Sequence, residues 1–226
     1  MNKKISLRLR EESQDQHRDA EGSGFMRCFI KGALDRGTYA HYLSVLKVVY
    51  DSLEKQIESR KDHPAVRPVR FTELYRSKSL EADLAFFGEP GTGQNSRAGK
   101  VYVDRIAEVA SNAPYLLSAH AYVRYLGDLS GGQILKRIAQ KMFDLQEGVG
   151  SAFYEFPAVT DINGFKNGFR EALDNLPVSP EEADALVREA STAFSLNQKV
   201  FAELEPVLIA GIGQERFASA QKETAH

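Results

Sequence analysis

An all-α fold is predicted by three observations. Apolar residues recur at spacings of three and four in nearly every long segment, the period of a helix with one buried face. No stretch alternates apolar and polar residues as a half-buried strand would. Ser179-Pro180-Glu181-Glu182 is a complete helix-start signal: a serine cap, proline at the first helical position and glutamate three after the cap.

The elements follow in order. Residues 7–20 form a charged helix with a thin apolar edge of Ile5, Leu9 and Ala20, broken by Gly22-Ser23-Gly24. Phe25, Met26, Phe29 and Ile30 make a short helix that ends near Gly32. Tyr39, Tyr42, Leu43, Leu46, Val49, Tyr50, Leu53 and Ile57 keep helical spacing over about five turns, with Thr38 as a candidate N-cap. After the loop 88–93, residues 101–110 are helical. Pro114 opens a long amphipathic helix marked by Leu116, Leu117, His120, Val123 and Tyr125, then by Ile134, Leu135, Ile138 and Met142. A loop near Gly148-Val149-Gly150 precedes a helix over 165–173. The helix opened by the capping box carries Ala183, Leu186, Val187, Ala190, Phe194, Val200, Phe201 and Leu204, and Pro206 is expected to stop it. No repeat or linker interrupts the chain. One domain over 1–226 is expected, with a core at about 5–205 and a disordered tail at about 214–226.

Composition narrows the function. A chain of 226 residues, 42% hydrophobic, can bury one sizeable core. A net charge of −2 with no dense basic run argues against nucleic-acid binding. Cys28 is the single cysteine, which excludes an internal disulfide and suits a reducing compartment. The basic N-terminus lacks the apolar core of a signal peptide, and the run 207–212 is too short to span a bilayer. A soluble, cytoplasmic protein without a membrane anchor is expected.

The chemistry concentrates at two places. Three glycines, Gly127, Gly131 and Gly132, lie inside the long helix, each costing roughly 1 kcal/mol against alanine. They are either tolerated at a helix crossing or let backbone approach a flat ligand closely. The polar Asp128 and Ser130 in the same bend favour the second reading. Of five histidines, His226 is terminal, His63 sits in the turn Asp62-His63-Pro64, His41 borders an apolar stripe, and His120 reads as a hydrogen-bonded core residue. No His/Glu spacing makes a convincing zinc or di-iron site. His17 is followed one turn later by Glu21, on the same helix face. That pair is either a solvated ion pair or a metal-binding imidazole with a carboxylate behind it.

The segment 122–136, Y-V-R-Y-L-G-D-L-S-G-G-Q-I-L-K, resembles the signature of the haem oxygenase family. His17-Arg18-Asp19-Ala20-Glu21 followed by Phe25-Met26 resembles that family's proximal ligand region. Phe165-Lys166, Phe169-Arg170 and Thr192-Ala193-Phe194-Ser195-Leu196-Asn197 match in order, and Tyr154-Glu155-Phe156 is similar to cyanobacterial and plastid-type members. The resemblance runs from about residue 9 to residue 204.

It implies a helical bundle holding haem b between a proximal and a kinked distal helix. His17 would be the axial iron ligand, with Glu21 bonded behind it. Gly127, Gly131 and Gly132 would leave room for a diatomic ligand, and Asp128 would order water beside the oxygen site, supported by Arg124 and Tyr122. Lys166, Arg170 and Arg10 would pair with the haem propionates. Asn197 would join the distal network and Phe194 the packing around haem. The implied reaction uses O2 and electrons from reduced ferredoxin or an NADPH-dependent reductase. It opens haem to biliverdin, the IXα isomer, with carbon monoxide and iron released. Haem is then cofactor and substrate at once, and no peroxidase-like distal histidine or arginine lies in 127–132 to drive O–O cleavage instead. One departure stands out: members often carry a second basic residue one turn after the position of Arg10, and here it is Gln14. An acidic ferredoxin would dock on Lys3, Lys4, Arg8, Arg10 and Lys31 of a monomer. The competing readings are a non-enzymatic haem carrier, and a thiamin-processing enzyme with Cys28 as nucleophile, although Cys28 looks more like a packing position.

Overall fold

The computed structural model describes residues 3–88 and 92–222, and among them there are helices and turns but no strand. Helices α1 (Ile5–Glu12), α2 (Gln14–Glu21) and α3 (Gly24–Ile30) lead into the long α4 (Arg36–Ser59). Two short 3-10 turns, Arg67–Val69 and Thr72–Leu74, connect to α5 (Ser77–Phe87). Then come α6 (Arg97–Asn112), α7 (Leu117–Ala121), a π-helical turn Tyr122–Leu126 and α8 (Gly131–Phe143). A further 3-10 turn, Ala152–Tyr154, precedes α9 (Ile162–Asp174), α10 (Pro180–Ile212) and α11 (Gln214–Gln221).

The two longest helices are the spines of the bundle. α4 buries Leu43, Leu46, Val49, Tyr50, Leu53 and Ile57 on one face, as its spacing predicts, and packs on α5, α6 and α10. α10 runs past α1, α2, α3, α6 and α7. The capping box at Ser179 is present in full: its side chain accepts from the amide of Glu182, whose own side chain accepts from the amide of Ser179. Gly93 shows how closely the chain returns to α4, since a β-carbon there would stand 2.0 Å from the backbone oxygen of Ser44.

Several boundaries differ from the sequence expectation for physical reasons. The first helix is two helices, broken at the buried Ser13, whose hydroxyl donates to the carbonyl of Leu9 at 2.6 Å and competes with the helical ladder. The cap of α4 is Asp35, not Thr38; its carboxylate accepts from the amide and the hydroxyl of Thr38 at 2.9 and 2.5 Å. Pro206 does not stop α10, which continues to Ile212 and buries Leu208. Residues 214–221, expected as part of a disordered tail, form α11 on α3, where Gln221 donates to the carbonyl of Gly24 at 3.1 Å. His226 and the segment 89–91 of the expected loop lie outside the described residues.

His120 is buried as expected, and its Nε2 lies 2.9 Å from Oε1 of Glu189 on α10. Arg105 of α6 closes the cluster, its Nε donating to Oε1 of Glu189 at 3.0 Å. Burial raises the Glu189 pKa, but the hydrogen bonds from His120 and Arg105 outweigh it and hold the carboxyl down at about 2. A carboxyl depressed on folding stabilises the protein above its unfolded pKa of 4.5, and that contribution is lost as pH falls toward about 2. Glu189→Gln is therefore expected to cost about 3 kcal/mol at neutral pH and to flatten the acid limb of stability. Denaturant melts of both proteins at neutral and acid pH check this, and parallel acid limbs would contradict it.

Candidate haem site

One cavity of about 490 Å³ brings the sequence-predicted residues together. The α1–α2 side contributes Arg10, Ser13, Gln14, His17 and Glu21. The π-turn and the bend after it contribute Tyr122, Arg124, Gly127, Asp128, Ser130, Gly131 and Gly132. α10 adds Phe194, Asn197 and Phe201, and α9 adds Arg170. Lys166 does not line this space; its Nζ lies 3.4 Å from the hydroxyl of Ser130, which does.

The glycine bend has the geometry of a wall without side chains. A β-carbon built on Gly127 or Gly131 meets nothing within 4 Å, so both backbones face open space. Gly132 is different, because a β-carbon there would touch the ring of Tyr154 at 3.4 Å. The backbone kinks at Ser130, with φ −111° and ψ −88°, just before α8 begins. Ahead of it, the π-helical turn over Tyr122–Leu126 widens the coil, an arrangement concentrated at functional sites. The bend is therefore sharper and more local than one continuous kinked helix.

His17, lining the same cavity, stands edge-on against Phe194, with ring centroids 5.2 Å apart. Its Nε2 lies 3.4 Å from Oε1 of Glu21, so the pair shares one face of α2. Nδ1 is then the nitrogen turned from Glu21, and a half-turn about Cβ–Cγ re-aims both. Among the described residues, no group of three or more His, Cys, Asp or Glu is placed to hold a bare metal ion. A single imidazole over a large, partly apolar space suits iron that arrives within its own macrocycle.

A buried polar network adjoins the glycine bend, and Arg124, Asp128 and Asn197 of it line the cavity. Arg124 donates from Nε to the Tyr50 hydroxyl at 3.0 Å and from Nη1 to Oδ1 of Asn197 at 2.9 Å. The Tyr50 hydroxyl donates in turn to Oδ2 of Asp128. Oδ1 of Asp128 lies 3.6 Å from Nη2 of Arg124. Burial pushes the Asp128 carboxyl above its usual pKa, against the opposing pull of Arg124, the Tyr50 bond and Arg76. Gln133 fastens the bend from below, its amide donating to the carbonyl of Tyr154 at 3.0 Å and of Asp128 at 3.3 Å.

Tyr50 is the main residue that the sequence reading missed. It lies in the apolar stripe of α4 and reads as core, which it also is. Tyr50 does not itself line the cavity, whereas Tyr42, Phe153, Tyr154 and Phe201 do. Cys28 is not among the lining residues. It is buried, its thiol pushed up by burial, and accepts from Gln221 at 3.4 Å, an arrangement for packing rather than nucleophilic attack. The basic group around the N-terminus is largely paired within the chain. Lys3 bonds Glu11, Lys4 lies 3.7 Å from Asp174, and Arg8 reaches Glu12 and Asp184 at 2.8 Å each. Lys31 donates to the carbonyl of Lys222, while Arg10 faces the cavity.

Comparison with known proteins agrees with this geometry. Residues 3–203 match the family model described as Heme oxygenase. Heme oxygenase 1 of Synechocystis sp. is 45% identical over 216 residues, covering 94% of this chain and 90% of that protein. The solved heme oxygenase of Leptospira interrogans superposes with a TM-score of 0.86 at 46% identity, over 89% of this chain and all of that one. Heme oxygenase-2 of Synechocystis sp., solved in complex with heme and NO, gives a TM-score of 0.93 at 35% identity, over 99% of this chain and 94% of that one.

Proposed function

The chain belongs to the haem oxygenase family and is a haem-degrading enzyme, and from that premise we propose that it opens haem b to biliverdin IXα with release of carbon monoxide and iron. The observation that carries this is that an imidazole, His17, and the open backbone of Gly127 and Gly131 line a single cavity. Bound haem would supply both the iron that activates O2 and the macrocycle that is cleaved.

Each residue then has a role fitted to its place. His17 would hold the iron from the α2 side, with Glu21 accepting the proton of its other nitrogen and so raising its basicity. Gly127 and Gly131 leave the opposite face open to a diatomic ligand. Asp128, with Oδ2 held by Tyr50, would hold a water and move a proton through it. Burial, by raising its pKa, makes that carboxyl a readier proton carrier than an exposed aspartate. Arg124, anchored to Tyr50 and Asn197, keeps the carboxylate from turning away. Tyr122 and Phe194 exclude water from the edges. Arg10 and Arg170, both lining the cavity, and Lys166 beside Ser130 would take the propionates. These anchors set the rotation of the ring and hence the carbon attacked. Chromatography of the product against the four biliverdin isomers tests the IXα assignment.

Electrons would come from reduced ferredoxin or another soluble reductase, to a monomer in the cytoplasm. No helix among the described residues is long and apolar enough to cross a membrane. Because Lys3, Lys4 and Arg8 already face internal carboxylates, their attraction for an acidic donor is modest and steeply dependent on salt.

The open space at Gly131 gives a direct test. Gly131→Leu places an isobutyl group in the cavity without meeting protein at its β-carbon. Folding is expected to survive while carbon monoxide affinity of the ferrous haem complex falls by about tenfold or more. Wild-type affinity in this variant would show that the ligand face lies elsewhere.

A further inference from the structure

Asp83 of α5 is a fully buried carboxylate that lines no part of the cavity, yet it governs a segment that does. Its Oδ1 accepts from the amide of Ala152 at 2.9 Å and its Oδ2 from the amide of Phe153 at 2.8 Å. Arg76, the residue just before α5 and also buried, donates to the carbonyl of Phe153 at 3.4 Å and to that of Glu155. Gln133 takes the carbonyl of Tyr154. The irregular stretch between α8 and α9 is thus held at its 3-10 turn by side chains, where regular structure would otherwise hold it.

What this turn carries matters for the site. Tyr154 is the ring that backs Gly132. Phe153 stands edge-on to Tyr50 with centroids 5.5 Å apart, and Tyr50 donates to Asp128. A continuous line of contacts therefore runs from Asp83 through the 152–153 amides and the Phe153 ring to the Tyr50–Asp128 bond.

We propose that Asp83 is a positioning residue for haem degradation: it fixes the 152–154 turn so that Phe153 and Tyr154 hold Tyr50, Asp128 and the 127–132 backbone in register. The proposal rests on reading the cavity as the haem site. A carboxylate suits the task because it accepts two parallel amide bonds at once. An asparagine in its place keeps one oxygen acceptor and turns an NH2 group toward the other amide.

The test uses the full chain, haem-free and with hemin, as wild type, Asp83→Asn and Asp83→Ala. In the haem-free protein, amide NMR signals of Gly127, Asp128 and Gly132 are expected to move in both variants, although Asp83 touches none of them. With hemin, affinity stays within about twofold, while the pH midpoint of the ferric visible spectrum shifts by about half a unit. Turnover falls by about tenfold in the alanine variant and less in asparagine. Should the alanine protein not fold, the asparagine variant alone decides. Unmoved 127–132 signals with an unchanged spectral midpoint would overturn the proposal, even if turnover fell. Failure of the wild type to bind hemin would instead strike the haem reading itself.

Discussion

Asp128→Ala leaves hemin affinity within about twofold of wild type but lowers ring opening by at least about a hundredfold, the usual scale for removing a positioned proton carrier. The expectation follows from what Asp128 touches. Its carboxylate accepts from Tyr50 and faces Arg124, and neither bond is directed at a macrocycle. On the proposed reading, haem would be retained by His17, the apolar lining and the basic side chains Arg10 and Arg170, all left intact. What disappears is the buried carboxyl able to hold a water and pass on its proton. Asp128→Asn separates charge from shape. The amide keeps an acceptor for the Tyr50 hydroxyl but cannot take up a proton, so it should lose most of the activity as well. Should the alanine variant make verdin at the wild-type rate, the proton-carrier role is wrong. Loss of hemin affinity alongside activity would show that Asp128 supports the pocket and not the chemistry.

His17→Ala is expected to remove the proposed axial ligation and with it the wild-type ferric spectrum. The methyl left at this position cannot reach iron, and Glu21 loses the imidazole it faces at 3.4 Å. Hemin still enters, because the cavity of about 490 Å³ keeps its other lining, but affinity is expected to fall by about tenfold or more. Added imidazole should fill the space and restore the spectrum in part, with recovery of turnover in proportion. An unchanged spectrum in the alanine protein would mean that another side chain holds the iron. Glu21→Gln is the milder companion: ligation remains, and the spectrum of the ferrous complex shifts only slightly.

The parts of the fold written in local patterns were legible beforehand. Spacing along α4 and the capping box of α10 each describe a single helix in its own residues. The motif 122–136 and His17 with Glu21 pointed to residues that line one cavity. What escaped detection depends on contacts distant in the chain. Tyr50 has the signature of a core residue, and its bond to Asp128 joins positions 78 residues apart. The π-turn has no compositional mark, since one extra backbone unit per turn needs no special side chain. The break at Ser13 lacks glycine or proline and comes from a hydroxyl competing for a carbonyl. Pro206 breaks the local rule for helix interiors, yet α10 continues because burial of Leu208 rewards the extra turns. The docked α11 reads as a polar tail until α3 is beside it.

The most direct test of the central claim is a single optical experiment. Hemin is added to the purified chain, followed by an electron donor in air, and the visible spectrum is recorded through turnover. Haem seated between His17 and the 127–132 backbone predicts a sharp Soret band on binding, then its loss as a broad red verdin absorption grows. A Soret band that forms and then persists under donor and oxygen would contradict the account.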